Sequence, residues 1–265
     1  AEGADQITEI RKTEDRSIWV GKVKSLDLTG YAVEILLKLR FHEENVMEEI
    51  CLIAMYAGHT AKILGAEDNS IWMGKLKKMS LFWFAVEALP KLKTREKDVM
   101  GKIELYAENT DHVEHILGAE DRNISVGKVK ELVLVGYAIE ILPKLKLYTK
   151  REIRKLSLAA EEQDVMERVL RKKNLGILVG RVNKLCLKDF TVKLLPKLRI
   201  HEDDRMEKVL KVRDPEKIAG ILGKRKTRSG RISKGTFLYY GRIFHEVFEF
   251  KFRSRVSRRI MGGGI

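Results

Sequence analysis

Glycine recurs at a fixed interval: Gly21, Gly74, Gly127 and Gly180 stand 53 residues apart, and Pro90, Pro143 and Pro196 keep the same step. An internal period of this length predicts a structural unit that buries its apolar face only against the next copy. Around the glycines recur Lys75-Leu76-Lys77, Lys128-Val129-Lys130 and Arg181-Val182-Asn183, and Gly65-Ala66-Glu67-Asp68 returns as Gly118-Ala119-Glu120-Asp121. Four units follow, 22–74, 75–127, 128–180 and 181–235, the last with two extra residues.

Each unit holds two short apolar alternations. One set is Leu26/Leu28, Met79/Leu81, Leu132/Leu134 and Leu185/Leu187; the other is Ile50/Leu52, Ile103/Leu105, Leu156/Leu158 and, less cleanly, Val209. Alternation with period two predicts strands with one buried face, about eight in all. Between them, Asp111 to Leu117 and Asp164 to Leu170 space their apolar residues as helices do. Strand, turn and helix, repeated, predict an α/β coil of parallel strands with helices outside.

The run Leu132-x-Leu134-x-x-Tyr137-x-Ile139-x-x-Leu142-Pro143 resembles the leucine-rich-repeat pattern LxLxxNxLxxLP. Met79, Leu81, Phe84, Val86, Leu89 and Pro90 carry the same skeleton, as do Leu185, Leu187, Phe190, Val192, Leu195 and Pro196; the first copy has Leu37 where the others have proline. The resemblance covers about residues 9 to 212. It implies a leucine-rich-repeat solenoid, a curved parallel β-sheet with helices or helical turns on its convex side. The units are double repeats, similar to ribonuclease-inhibitor-like horseshoes, which implies a protein partner. One position departs from the pattern: the family's turn asparagine is Tyr31, Phe84, Tyr137 and Phe190 here, and phenylalanine cannot make its backbone hydrogen bonds.

Residues 1–21 align without a gap on residues 107–127, so the sequence opens inside a repeat. Residue 1 is therefore expected not to be the translated start. An intact native mass near 30.5 kDa, with Ala1 at its N-terminus, would exclude a fragment. The expected organisation is a partial repeat over 1–21, the solenoid over 22–212, and a basic, aromatic C-terminal cap over 213–265.

Charge is concentrated at one end. Of a net +14, the residues from Lys224 onward hold 12 Lys or Arg against Glu246 and Glu249, with five of the nine phenylalanines between Phe237 and Phe252. Val247 to Arg253 alternates aromatic and charged residues, so Phe248, Phe250 and Phe252 are expected to seal the last repeat while arginines face outward. Lys224, Arg225, Lys226, Arg228, Arg231, Arg253, Arg255, Arg258 and Arg259 are the candidate nucleic-acid contacts.

No apolar run approaches the roughly 18 residues of a membrane span, and residues 1 to 20 hold no signal-peptide core. Cys51 and Cys186 fall at the centre of strands two and seven, about 24 Å apart at ~4.8 Å per strand, beyond disulfide reach. They are expected to be reduced thiols on small surface positions, in an intracellular and cytoplasmic setting. The triplet Asn123-Ile124-Ser125 is read as a chance sequon.

No catalytic pattern emerges. Gly223-Lys224 is followed by Arg225 rather than Ser or Thr, and neither GxSxG nor HExxH occurs. His112 and His115 are expected on a polar helix surface, without the further ligands a metal needs. No cofactor and no small-molecule substrate is expected.

The positions between the apolar strand residues are the candidate contact surface. The central column reads Asp27, Cys51, Ser80, Glu104, Val133, Ser157 and Cys186; its neighbour reads Ser25, Glu49, Lys78, Lys102, Glu131, Lys155, Lys184 and Lys208. Phe82 and Tyr106 add an aromatic spot beside the lysines, a composition suited to protein contact. Trp19 and Trp72 are expected to pack inside. Lys78, Phe82, Lys102, Glu104, Tyr106, Glu131, Val133, Lys155 and Lys184 are thus the candidate protein-binding residues. The expected function is a non-enzymatic interaction scaffold; the alternative is an RNA- or ribosome-associated factor held by the basic C-terminal region.

Overall fold

The period-two segments form parallel strands: β1 (Ser25–Thr29), β2 (Val46–Ala54), β3 (Lys75–Trp83), β4 (Val99–Ala107), β5 (Lys128–Gly136), β6 (Ile153–Ala160), β7 (Ile177–Asp189) and β8 (Glu207–Lys211). The computed structural model describes residues 3–95, 97–147, 153–171, 177–201 and 206–211. In this ladder each of these strands pairs with the one before it and the one after it, and every pairing is parallel. A ninth strand, Leu198–His201, joins the first half of β7, and the sheet stays open rather than closing into a barrel.

Parallel neighbours need crossover connections, and these alternate in kind. After β1, β3, β5 and β7 come 3-10 helices, Gly30–Leu37, Phe84–Lys91, Tyr137–Lys144 and Phe190–Leu194. After β2, β4 and β6 come the short α-helices Ala61–Leu64, Glu114–Leu117 and Gln163–Arg171. The core lies between this layer and the sheet. Ile50, Met79, Ile103, Leu132, Leu156 and Leu185 stand side by side across the strands, and Leu52, Leu81, Leu105, Leu134, Leu158 and Leu187 make a second buried row. Each such side chain contributes about 1.5–3 kcal/mol by leaving water.

The repeat glycines have a backbone reason. Gly21, Gly74, Gly127 and Gly180 have φ of 66°, 69°, 68° and 83°, all positive. A Cβ is strained in that region. The glycines lie at or just beyond short second ladders: Ile18–Gly21 with Leu39–Phe41, Ile71–Trp72 with Leu92–Lys93, Ile124–Ser125 with Leu145–Lys146, and the start of β7 with Leu198–His201. The recurring Gly-Ala-Glu-Asp also has a role. Asp68 and Asp121 pair with Lys91 and Lys144 at 2.8 and 3.0 Å, as Asp15 does with Lys38 at 2.8 Å.

A ladder of buried glutamates carries the same period. Glu34, Glu87 and Glu140 are each at most 3% exposed. Glu34 accepts from the Lys62 backbone N–H at 3.2 Å and pairs with Arg11 at 2.6 Å. Glu87 accepts from the His115 N–H at 3.0 Å, and Glu140 meets Arg168 at 3.0 Å. Each carboxylate ties a 3-10 helix to the next α-helical connection.

Three expectations are corrected. The last strand pairs Glu207, not Lys208, with Lys184, and Val209 with Cys186. A one-residue shift exchanges the faces of a strand; this register puts Lys208 and Leu210 beside Leu185 and Leu187 on the core side, and Val209 and Lys211 on the open face. Cys51 and Cys186 form no disulfide, but both are buried, at 2% and 8% exposure, because longer side chains on both sides cover the centre of the face. Trp19 is 54% exposed rather than packed, with the Arg40 guanidinium 5.1 Å from its ring.

The expectation for His112 is corrected as well, while His115 stands on the exposed helix surface as expected. His112 is 4% exposed, its ring 4.5 Å edge-on from Phe84, and its Nδ1 accepts from the Glu108 N–H at 3.1 Å. One unit earlier, the buried His59 meets Tyr31 at 4.6 Å in the same way. Tyr31 and Phe84 thus each seat a side chain from the following connection, and Tyr137, in turn, donates from its hydroxyl to Asp164. Burial lowers the pKa of both histidines, so the fold favours their neutral forms. Stability from a depressed histidine pKa is present above the unfolded value of about 6.5 and lost as pH falls toward the folded value. The urea midpoint is expected to drop as pH falls below about 6.5, and His112→Gln should flatten that slope; an unchanged slope would remove this histidine as its source.

Candidate interaction face

The open face of the sheet is built by strand register, which aligns one residue from every strand into columns. The central column runs Asp27, Cys51, Ser80, Glu104, Val133, Ser157, Cys186 and Val209. On one side run Ser25, Glu49, Lys78, Lys102, Glu131, Lys155, Lys184 and Glu207. On the other run Thr29, Ile53, Phe82, Tyr106, Val135, Ala159, Lys188 and Lys211.

Around β2–β4 the charges are joined to one another. Lys78 Nζ bridges Glu49 at 2.7 Å and Glu104 at 3.3 Å; Lys102 Nζ lies 2.6 Å from Glu104, and Ser80 Oγ donates to it at 3.3 Å. Burial pushes the Glu104 pKa upward, but the Lys102 and Lys78 ammoniums outweigh it and hold the carboxyl below its usual range. Burial works against the Lys78 charge too, and Glu49 and Glu104 reverse it, so Lys78 holds its proton more tightly than usual. Glu104, 7% exposed, is thus the centre of an internal network rather than an exposed contact.

Next to this network, Phe82 and Tyr106 stack face to face, 4.6 Å between centroids and 5° from parallel. Both are half-buried. Burial, then the Glu104 charge, raises the Tyr106 pKa, so its hydroxyl stays protonated. Trp83 flanks the pair with its ring 6.5 Å from Phe82. Its backbone is in a region that favours glycine, φ 57° and ψ -130°; the equivalent residues are Gly30, Gly136 and Asp189, all at positive φ. Backbone strain in a non-glycine residue is a recurrent companion of functional surface. No family model, no curated protein and no solved structure matches this chain.

Toward β6–β8 the face becomes richer in lysine. Lys155, Lys184, Lys188 and Lys211 surround the small residues Ser157, Ala159 and Cys186; Glu207 meets Lys184 at 2.8 Å. Burial, followed by the nearby Lys211 charge, lowers the Lys188 pKa, as expected of cations crowded together. Of the expected contacts, Lys78, Lys102 and Glu104 come together in one network, Phe82 and Tyr106 in one stack, and Glu131 and Val133 sit between the two charge regimes. Lys155 and Lys184 stand in the basic end. The sequence reading missed Trp83, Lys188 and Lys211. The regular spacing of Gly30, Trp83, Gly136 and Asp189 was the available signal for the first, and the alternation Lys184-Cys186-Lys188 for the second.

Lys224, Arg225, Lys226, Arg228, Arg231, Arg253, Arg255, Arg258 and Arg259, with the expected cap over 213–265, lie outside the described residues. Among the described residues no group of three His, Cys, Asp or Glu side chains could hold a metal ion, and no helix is long and apolar enough to cross a membrane.

Proposed function

We propose that this chain is a divergent leucine-rich-repeat solenoid that acts as a non-enzymatic scaffold in the cytoplasm, gripping a protein partner through the open face of its sheet. The observation that carries the reading is the Phe82–Tyr106 stack, a half-exposed aromatic platform beside a network of paired charges. Aromatic anchors ringed by polar groups are the usual energetic centres of protein contacts. The repeat supports the solenoid: one strand joins the sheet per half unit, in strict chain order.

Phe82→Ala is expected to weaken partner capture from native lysate by roughly ten- to hundredfold, with the melting temperature little changed. Tyr106→Ala should act alike. Capture that survives both substitutions would end this reading.

The concentration of positive charge from Lys224 onward supports a second reading, an RNA- or ribosome-associated factor. Co-sedimentation with large particles that is abolished by nuclease, or by about 0.5 M salt, would favour it over the scaffold.

A further inference from the structure

The short second ladders, which precede the main strands, present a row of their own to solvent. In each ladder one register pair points away from the core: Trp19 with Arg40, Trp72 with Lys93, Ser125 with Lys146, and Leu178 with Arg199. Their chain neighbours Ile71, Leu92, Ile124 and Leu145 are buried, which fixes the row on the outer side of the ladders. Arg40, Lys93, Lys146 and Arg199 are all exposed, as are Trp19, Ser125 and Leu178; Trp72 is half-buried. The four cations recur every 53 residues. One unit is two strands of the main sheet, so they stand about 10 Å apart at ~4.8 Å per strand step. Among the described residues no carboxylate pairs with Lys93, Lys146 or Arg199, and Arg40 meets the Trp19 ring instead. Glu44 and Asp98, in the segments after the first two ladders, are engaged by Lys22 and Lys75 at 3.4 and 4.0 Å.

We infer that this row binds a single-stranded nucleic acid, with phosphates along Arg40, Lys93, Lys146 and Arg199 and a base stacked at the Arg40–Trp19 pair. The row lies outside the open face of the sheet and outside the basic C-terminal residues, so it stands independently of both readings above. A ligand that meets one cation in each of four units is a chain with charge repeated along it, as a phosphate backbone is. Cations spaced near the screening length of about 8–10 Å still repel one another, and a polyanion relieves that repulsion while releasing its own counterions. Planar groups favour a nucleic acid over an acidic peptide. Bases stack on aromatic rings and on guanidinium planes, and Trp19, 54% exposed with the Arg40 guanidinium 5.1 Å from its ring, offers both. A duplex keeps its bases inside, so such stacking selects a single strand. A lipid surface fits less well, because Ser125 and the half-buried Trp72 interrupt any apolar row that could insert.

The test is fluorescence anisotropy of a labelled oligouridine of about 12 nucleotides, titrated with the full chain across a salt series. Because Lys224 to Arg259 adds cations of its own, the readout is the change from parent to variant. Lys93→Gln/Lys146→Gln/Arg199→Gln is expected to weaken binding roughly ten- to hundredfold near 0.1 M salt. It should also lower the slope of log K against log salt by about 2, three phosphate contacts at ~0.7 each. Trp19→Ala should cost roughly tenfold through lost stacking and leave the slope nearly unchanged. A matched removal of three exposed cations from the helical connections, Lys12→Gln/Lys62→Gln/Arg171→Gln, should leave both affinity and slope close to the parent's. Every variant changes exposed side chains and should melt with the parent. No binding of the oligouridine, or a slope that falls equally in the matched control, would overturn the inference. So would a slope that responds to Arg225→Gln/Arg228→Gln/Arg231→Gln but not to the row, which would assign binding to the C-terminal residues. Indifference to Trp19→Ala, with a glutamate peptide of equal length bound as tightly through the same cations, would overturn it in favour of an acidic peptide. Flotation with phosphatidylserine vesicles that is lost in the row variant, without binding of the oligouridine, would overturn it in favour of a membrane surface.

Discussion

Gly74→Ala is expected to lower the stability of the chain by about 2–4 kcal/mol, while Gly127→Ala, the same change one unit later, should cost only about 1–2 kcal/mol. Both glycines have nearly the same positive φ, so the intrinsic strain of adding a Cβ is shared. Their surroundings differ. A Cβ on Gly74 would sit 2.7 Å from the Asn45 carbonyl oxygen and 3.2 Å from its Cβ, whereas one on Gly127 would meet nothing closer than Thr94 Oγ1 at 3.7 Å. Asn45 cannot easily retreat. It is fully buried; its backbone oxygen accepts from the Lys75 N–H at 2.9 Å, and its side-chain oxygen accepts from the Val23 N–H at 2.8 Å. Relief at Gly74 would therefore strain hydrogen bonds on both sides of β2. Urea unfolding of the two variants against the parent decides the matter: equal losses would mean that φ alone sets the cost.

The second large effect concerns the glutamate ladder. Glu87→Ala should destabilise by about 2–3 kcal/mol, because it leaves the buried end of the Glu114–Leu117 connection without its acceptor. His115→Ala should cost under about 1 kcal/mol, since the ring is exposed and its contact with Glu87 is screened by water. The contrast separates two roles of one carboxylate, which accepts from the His115 backbone N–H at 3.0 Å and lies 2.9 Å from the ring Nδ1. Glu87→Gln retains a neutral acceptor and should fall between. A loss in His115→Ala as large as that in Glu87→Ala would assign the ladder to ion pairing. Thermal unfolding at neutral pH reads all three.

The legible part of the fold was the part written with a period. Leu132 and Leu134 alternate because one face of β5 is buried, and the same pattern, repeated from unit to unit, located seven of the eight ladder strands in correct register. The eighth was misplaced by one residue because its own apolar signal, Val209-Leu210, does not alternate. Only pairing with β7 selects its register. Glu34, Glu87 and Glu140 were equally periodic yet unread, since a glutamate in a connection is ordinarily solvated. What makes these three structural is a backbone N–H or a cation brought from the next connection, some 28 residues onward for Glu87.

The candidate face divides in the same way. Which residues share a column follows from the repeat and was legible. How they behave together was not: Glu104 is a charge enclosed by two lysines from β3 and β4, Cys51 and Cys186 are covered by their neighbours, and Phe82 meets Tyr106 plane to plane. Sequence by itself determined the strand order and, in seven of the eight strands, the side on which each residue lies, because periodicity is a local property of the chain. Tertiary structure alone decided burial, charge pairing and the separation of an aromatic zone from a basic one. Those depend on side chains from neighbouring strands, such as Lys78 and Glu49, 29 residues apart, or Ser80 and Glu104, 24 residues apart. Far apart in the chain, they meet across a single strand spacing.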